Sequence, residues 1–272
     1  MSVYRHRKPS NSNAAKALKR RAAFYDLDGT LVDLNLVHAA VFMLANVGEW
    51  SGQVSYLLGF AARIPRLYVA EQRDRRLLNT VLFEAFKGVS RDRLFSLGEE
   101  YCERILVGHL FPRAVELIEA NRAAGIEPVL VTGSPDFIVA PLARHLGIAD
   151  FAFAANRFVF SRGRATGRLV EPVMAADEKA VWCEDYAAAR DIDLADCWGY
   201  ADSHYDTAFL AALGHPVAVN PDRRLHAAAL SRQWPVIHFA TAQSSEQSHD
   251  FDNDRDLNYD TDQSTRGSDG AA

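Results

Sequence analysis

Asp26 and Asp28 stand two residues apart in "FYDLDGTLVD", where a buried apolar run ends, and a third acid, Asp33, follows. Carboxylates this close repel one another, and the spacing asks for a cation between them. Three further polar clusters occur downstream. Thr132, Gly133 and Ser134 follow "PVLV", Lys179 sits in "DEKA", and Asp202 and Asp206 follow "WGYA". Each cluster alone is a weak signal; together and in this order they mark one site.

The elements that must gather them are legible as a rhythm. Short apolar runs, "AAFYDL", "PVLVT", "CWGYA", "PVAVN" and "PVIHF", alternate with longer helical patterns. That alternation predicts parallel strands covered by helices, and in such sheets ligands bind beyond the carboxyl ends of the strands. "RAVELIEANRAAG", residues 113 to 125, predicts a helix stopped at Gly125, and another is expected from about Pro135 to His145. Almost a hundred residues separate the first strand from "PVLVT", mostly with helical periodicity. An inserted helical cap over 33–108 accounts for them, and such lids close over substrates. The stretch "FAFAANRFVFSRGRATGRLVEP" alternates about Ser161 to Arg164 and predicts a hairpin.

The DxDGT phrase at Asp26, the "VTGS" phrase, Lys179, and "YADSHYD" resemble, in this order, the motifs of the haloacid dehalogenase superfamily of phosphohydrolases. The likeness covers roughly residues 22 to 240. The cap after the first motif, the hairpin and "LGHPVAVNPD" are similar to the phosphoserine phosphatase branch. The resemblance implies an α/β fold, a Rossmann-like three-layer parallel sheet, with a catalytic core over 22–32 and 109–240. It implies a magnesium-dependent phosphomonoester hydrolase. Asp26 would be the nucleophile that forms an aspartyl-phosphate, and Asp28 the general acid and base. Asp26, Asp202 and the Asp28 backbone carbonyl would hold Mg2+. Thr132, Gly133 and Ser134 would receive the phosphate with Lys179, and Asp206 would orient Lys179 or a water behind the metal. The cation matters because unit like charges about 4 Å apart repel by roughly 4 kcal/mol at an effective dielectric near 20.

Taken singly, each cluster has a plainer reading. Thr132 could cap the helix that follows, Lys179 could be a solvated helix residue, and Asp202 and Asp206 an N-cap and a surface acid. Their joint order carries the phosphatase reading. Where phosphoserine phosphatases carry a glutamate for the substrate's amino group, this chain has Asn35, and Tyr205 replaces an asparagine before the last acid. Both changes weaken phosphoserine itself as substrate. Arg73, Arg75 or Arg76 could meet a substrate carboxylate or a second phosphate. The apolar cap and "TGSP" also resemble the phosphatidylglycerophosphate phosphatases, which makes a lipid phosphate at a membrane surface the rival substrate. A catalytically silent binding protein and a phosphotransferase complete the alternatives.

Composition bounds the rest. Apolar residues at 49% and charged residues at 24% describe a globular chain with a core. Residues 1 to 21 hold seven Lys and Arg and no acid, and residues 241 to 272 hold eight acids against two Arg. Both tails are expected to be disordered. Three cysteines with no CxxC pair and the lack of a leader segment predict a cytoplasmic protein. The apolar stretches from 36 to 47 and from 54 to 70 are too short or too interrupted to span a bilayer, though they could lie on one. No GxGxxG follows a strand and no GxxxxGK[ST] occurs, and the reading assigns no nucleic-acid partner. The expected partner is a small phosphate ester; oligomeric state is not encoded in any motif.

Overall fold

β1 (Arg21–Tyr25) explains the sheet, because Ala22 to Tyr25 are wholly buried and no polar face is left to water. A strand apolar on both faces belongs in the middle of a parallel sheet. In the computed structural model, which describes residues 20–48 and 50–240, β1 pairs in parallel with both β2 (Ile126–Pro135) and β6 (Trp198–Ala201). β3 (Phe153–Asn156) lies beyond β2, and β7 (His215–Val219) and β8 (Val236–Ile237) lie beyond β6. The order is β3-β2-β1-β6-β7-β8, with every pairing parallel. The chain therefore runs outward in one direction through β2 and β3 and in the other through β6, β7 and β8. Between β1 and β6 lies the switch point where an open α/β sheet presents its crevice. This is the expected Rossmann-like fold.

The segment between β1 and β2 is helical. It contains α1 (Leu36–Asn46), α2 (Trp50–Ala61), α3 (Ile64–Arg73), α4 (Arg75–Phe83) and α5 (Arg91–Tyr101). Local signals set the boundaries. Asn35 caps α1 by accepting from the N–H groups of Val37 and His38, Pro65 occupies the first turn of α3, Asp74 caps α4, and Ser90 caps α5. A π-helical turn over Cys102–Leu106 and a short turn after it lead into α6 (Pro112–Ala123), which returns the chain to β2. α7 (Asp136–His145) follows β2, α8 (Asp177–Ala188) precedes β6, and α9 (Thr207–Ala211) and α10 (Arg223–Arg232) flank β7.

The hairpin turns at Ser161 to Arg164 as expected but is shorter than expected. Its limbs are β4 (Phe158–Ser161) and β5 (Arg164–Leu169), an antiparallel pair. Phe153–Asn156, expected within the hairpin, instead extends the main sheet beside β2. A two-residue alternation fits either sheet, and burial of Ala154 and Asn156 against β2 decides between them. Residues 1 to 19 and 241 to 272, where the basic head and acidic tail fall, lie outside the described residues.

Candidate active site

All four polar clusters converge at the carboxyl edge of the sheet: Asp26 and Asp202 just after β1 and β6, Thr132 to Ser134 within the last residues of β2, and Lys179 on α8. Asp26 follows β1 directly, and its N–H donates to the Tyr200 carbonyl of β6 at 2.9 Å, which fixes where its side chain emerges. Its Oδ1 lies 2.8 Å from Lys179 Nζ, and the same ammonium lies 2.8 Å from Asp206 Oδ1. All three side chains are at least nine-tenths buried. Burial works against the Lys179 ammonium, but Asp206 and then Asp26 more than offset it, and its pKa is raised. Lys179 is positioned by the first turn of α8, which begins after Ala176 in the positive-φ region at 51°.

Asp202 follows β6, with its carboxylate 3.5 Å from the Thr30 hydroxyl that donates to it. The turn at Gly29 makes room for it. Gly29 has φ +80°, and a Cβ there would overlap the Asp202 carboxylate. Gly29→Ala thus combines backbone strain with displacement of Asp202. We expect an activity loss of about a hundredfold, read from initial rates. Wild-type rates in this variant would show that Asp202 need not stand where it does.

Asp28 points to a different group. Its Oδ2 accepts from the Ser134 hydroxyl at 2.8 Å, and burial, followed by the repulsion of Asp26, pushes its pKa up to about 6. Thr132 Oγ1 accepts from the Ser134 N–H at 3.1 Å. The helix-cap reading of Thr132 is thereby set aside, because Pro135 is the N-cap of α7 and no side chain caps it. The plainer reading of Asp206 as a surface acid also fails, since it is 3% exposed.

The carboxylates of Asp26, Asp202 and Asp206 offer oxygens within 4.8 Å of one another, the one such group among the described residues. Burial, and then Asp26 and Asp206, raise Asp202 to about 8, while burial raises Asp206 to about 6 against the pull of Lys179. Four acids thus face one buried lysine and Arg75, an excess of negative charge that a hard cation with oxygen ligands relieves. The donor set fits Mg2+. Asp206 is nearer to the carboxylate group than a purely orienting role requires, because one of its oxygens is engaged by Lys179 while the side chain still reaches the Asp26 and Asp202 cluster.

These residues line a cavity of about 310 Å³, with Gly133 on its wall and Asn35, Leu36 and Arg75 reaching in from the cap. Arg75 is the one of the three candidate arginines to do so. Arg76 instead lies 3.8 Å from Asp177. Asn35 does not stand free as a substrate ligand, since its side-chain oxygen is taken up in capping α1. His38 Nδ1 lies 3.0 Å from that oxygen, and His204 pairs with Asp222 at 2.8 Å, so neither histidine belongs to the acid cluster.

Two asparagines that no motif marked hold the phosphate-loop candidate in place. Asn156 donates to the carbonyls of Gly133 at 2.8 Å and Met174 at 3.2 Å and accepts from the Met174 N–H at 2.8 Å. Asn79 of α4, wholly buried, lies 3.5 Å from the Gly133 carbonyl. A Cβ at Gly133 would sit 2.9 Å from its Nδ2, so an alanine there displaces the Asn79 amide. Asn156→Ala strands buried partners at Gly133 in β2 and at Met174 and is expected to lower stability by about 2 to 3 kcal/mol, measured by urea unfolding. An unchanged midpoint would mean that water replaces the amide.

Sequence comparisons agree with this geometry. A probable phosphatase of Mycobacterium tuberculosis is 31% identical over 232 residues, covering 85% of this chain and 80% of that protein. A phosphoserine phosphatase of the same organism is 29% identical over 225 residues, covering 82% of this chain and 72% of that one. A crystal structure of a protein of unknown function from Bordetella pertussis superposes with a TM-score of 0.68 at 26% identity, covering 81% of this chain and 99% of that chain. The family model for haloacid dehalogenase-like hydrolases matches residues 23–211, from β1 through α9, and so takes in every polar cluster described above. With more than half of its length matched and the acids assembled at the switch point of the sheet, the chain belongs to the haloacid dehalogenase-like hydrolases.

Proposed function

We propose that the protein is a cytoplasmic, magnesium-dependent phosphomonoesterase that works through an aspartyl-phosphate on a small organic phosphate ester. The observation that carries the reading is the buried Asp26–Lys179–Asp206 arrangement beside Asp202, with Asp28 held separately by Ser134. The relatives named as phosphatases support it. The three free cysteines, all buried, are consistent with a reducing compartment. No helix among the described residues is long and apolar enough to cross a membrane.

Asp26, Asp202 and the Asp28 backbone carbonyl would hold Mg2+, which when bound would supply the positive charge that lets an anionic nucleophile meet an anionic phosphate. The remaining work falls to the chain. The Gly133 amide and Lys179, which line the cavity, receive the phosphate oxygens, with Thr132 buried behind them, while Ser134 spends its N–H on Thr132 and its hydroxyl on Asp28. An Asp26 oxygen attacks phosphorus, the bond from phosphorus to the leaving oxygen breaks, and Asp28 gives its proton to that oxygen. Water then attacks the aspartyl-phosphate and gives a proton to Asp28, the acyl-phosphate bond breaks, and inorganic phosphate leaves with Asp26 restored. Lys179, held between two acids, keeps Asp26 oriented in both half-reactions. Arg75 adds positive charge at the cap side of the cavity.

Phosphate release measured with and without Mg2+ on phosphoserine, histidinol phosphate, sugar phosphates and lysophospholipid phosphates tests the proposal. A flat response across the panel would favour a silent binding protein. Mg2+ at about a hundred times its dissociation constant is expected to stabilise the wild type by about 2.7 kcal/mol, and Asp202→Asn to lose most of that shift in a thermal melt. An equal shift in the variant would place the metal elsewhere.

A lipid phosphate at a membrane surface is the second reading. It is favoured by where apolar side chains remain exposed: of twelve such large residues among those described, the nine from Val37 to Phe95 lie in the cap. Co-sedimentation with anionic vesicles, lost when residues 1 to 21 are removed, separates it from the first.

A further inference from the structure

We infer that the site takes a phosphomonoester whose leaving alcohol carries a single apolar tail, and that this tail lies in a groove of the cap. The inference rests on the phosphomonoesterase reading and narrows its substrate class. The groove has a volume of about 410 Å³ and is lined by Leu36, Phe60, Ile64, Leu67, Tyr68 and Leu78, drawn from α1, α2, α3 and α4. It adjoins the catalytic cavity, because Asn35, Leu36 and Arg75 line both. The two spaces differ in character. The catalytic cavity is walled by Asp26, Asp28, Lys179, Asp202 and Asp206, whereas the groove beyond Leu36 is almost wholly apolar.

Arg75 marks the boundary. Its guanidinium lies 6.0 Å from the centre of the Tyr205 ring, and it makes no ion pair among the described residues. On one side of it the cavity is built for a phosphate. On the other, Ile64 is 55% and Tyr68 65% exposed, apolar surface that gains by being covered. A short hydrophilic alcohol would fill the first space and leave the second to water. A tail carried by the phosphate past Leu36 and Arg75 would fill both. A protein partner seated in the groove would instead cover these two residues of the catalytic cavity.

The test is a series of n-alkyl phosphates from ethyl to octyl, supplied as monomers, with phosphate release as the readout. In the wild type kcat/KM is expected to rise by up to about fourfold for each added methylene until the groove is filled. Ile64→Glu and Tyr68→Glu, both at exposed positions, are expected to flatten that slope. The slope is a ratio within one protein, so a loss of folded enzyme does not imitate it. In parallel, binding of the matching n-alkylphosphonates, which cannot be hydrolysed at the carbon to phosphorus bond, is measured by calorimetry. Turnover with a flat series, or a slope that survives both substitutions, overturns the groove and leaves the phosphatase intact. Phosphonate affinity that climbs with chain length in the absence of any turnover supports the groove and removes the phosphatase.

Discussion

Asp26→Asn lowers phosphate release by on the order of ten-thousand-fold while the protein remains folded. On the proposed mechanism the amide lacks the anionic oxygen that bonds to phosphorus, and the neighbouring acids are engaged elsewhere. Asp28 is tied to Ser134, and Asp206 is tied to Lys179. The fold survives because the substitution is isosteric. The amide oxygen can still accept from Lys179, and the ammonium keeps its 2.8 Å contact with Asp206. Initial rates with p-nitrophenyl phosphate, set beside a urea midpoint, check both halves. Activity above a few per cent of wild type would mean that another residue carries the phosphoryl group.

Lys179→Met tests the opposite partner and reverses the balance of effects. Here stability suffers first. Removing the ammonium leaves two buried carboxylates without their shared counter-charge, and breaking a buried pair in this way costs about 3 to 5 kcal/mol. Methionine fills most of the volume, so a cavity is not the cause. Turnover also falls, by about a thousandfold or more, since the charge that balances nucleophile and phosphate is gone. Added Mg2+ is expected to recover part of the lost stability in this variant, because it brings a positive charge to the Asp26, Asp202 and Asp206 cluster. A variant as stable as wild type in the absence of metal would show that the acids are neutral in the folded protein.

The sheet and the acids were legible because they obey short-range rules. A run such as "AAFY" that is apolar on both faces can only be an inner strand, and polar residues directly after it must fall at the crevice. Thr132 follows the same rule, whereas Lys179, on a helix with no strand run before it, is marked by the family resemblance alone. What stayed hidden depends on the third dimension. Asn79 and Asn156 are single amides in apolar surroundings, and their partner, the Gly133 carbonyl, is 54 and 23 residues away in the chain. Arg75 could not be separated from Arg73 and Arg76 until α4 had a direction, with Asp74 as its cap. Phe153–Asn156 was assigned to the hairpin because alternation carries no information about which sheet a strand joins. Asn35, taken as a departure at a substrate position, turns out to be occupied at the start of α1.

α4 has a mechanical consequence. Arg75 and Asn79 are one helical turn apart and so share a side of it, the first at the mouth of the cavity and the second against the Gly133 carbonyl. Any swing that lifts this helix withdraws a positive charge and a hydrogen-bond donor in the same motion, so admitting the ester and disarming the pocket become a single event. A fluorophore on the outer side of α4 would therefore track each round of opening as a direct clock of turnover.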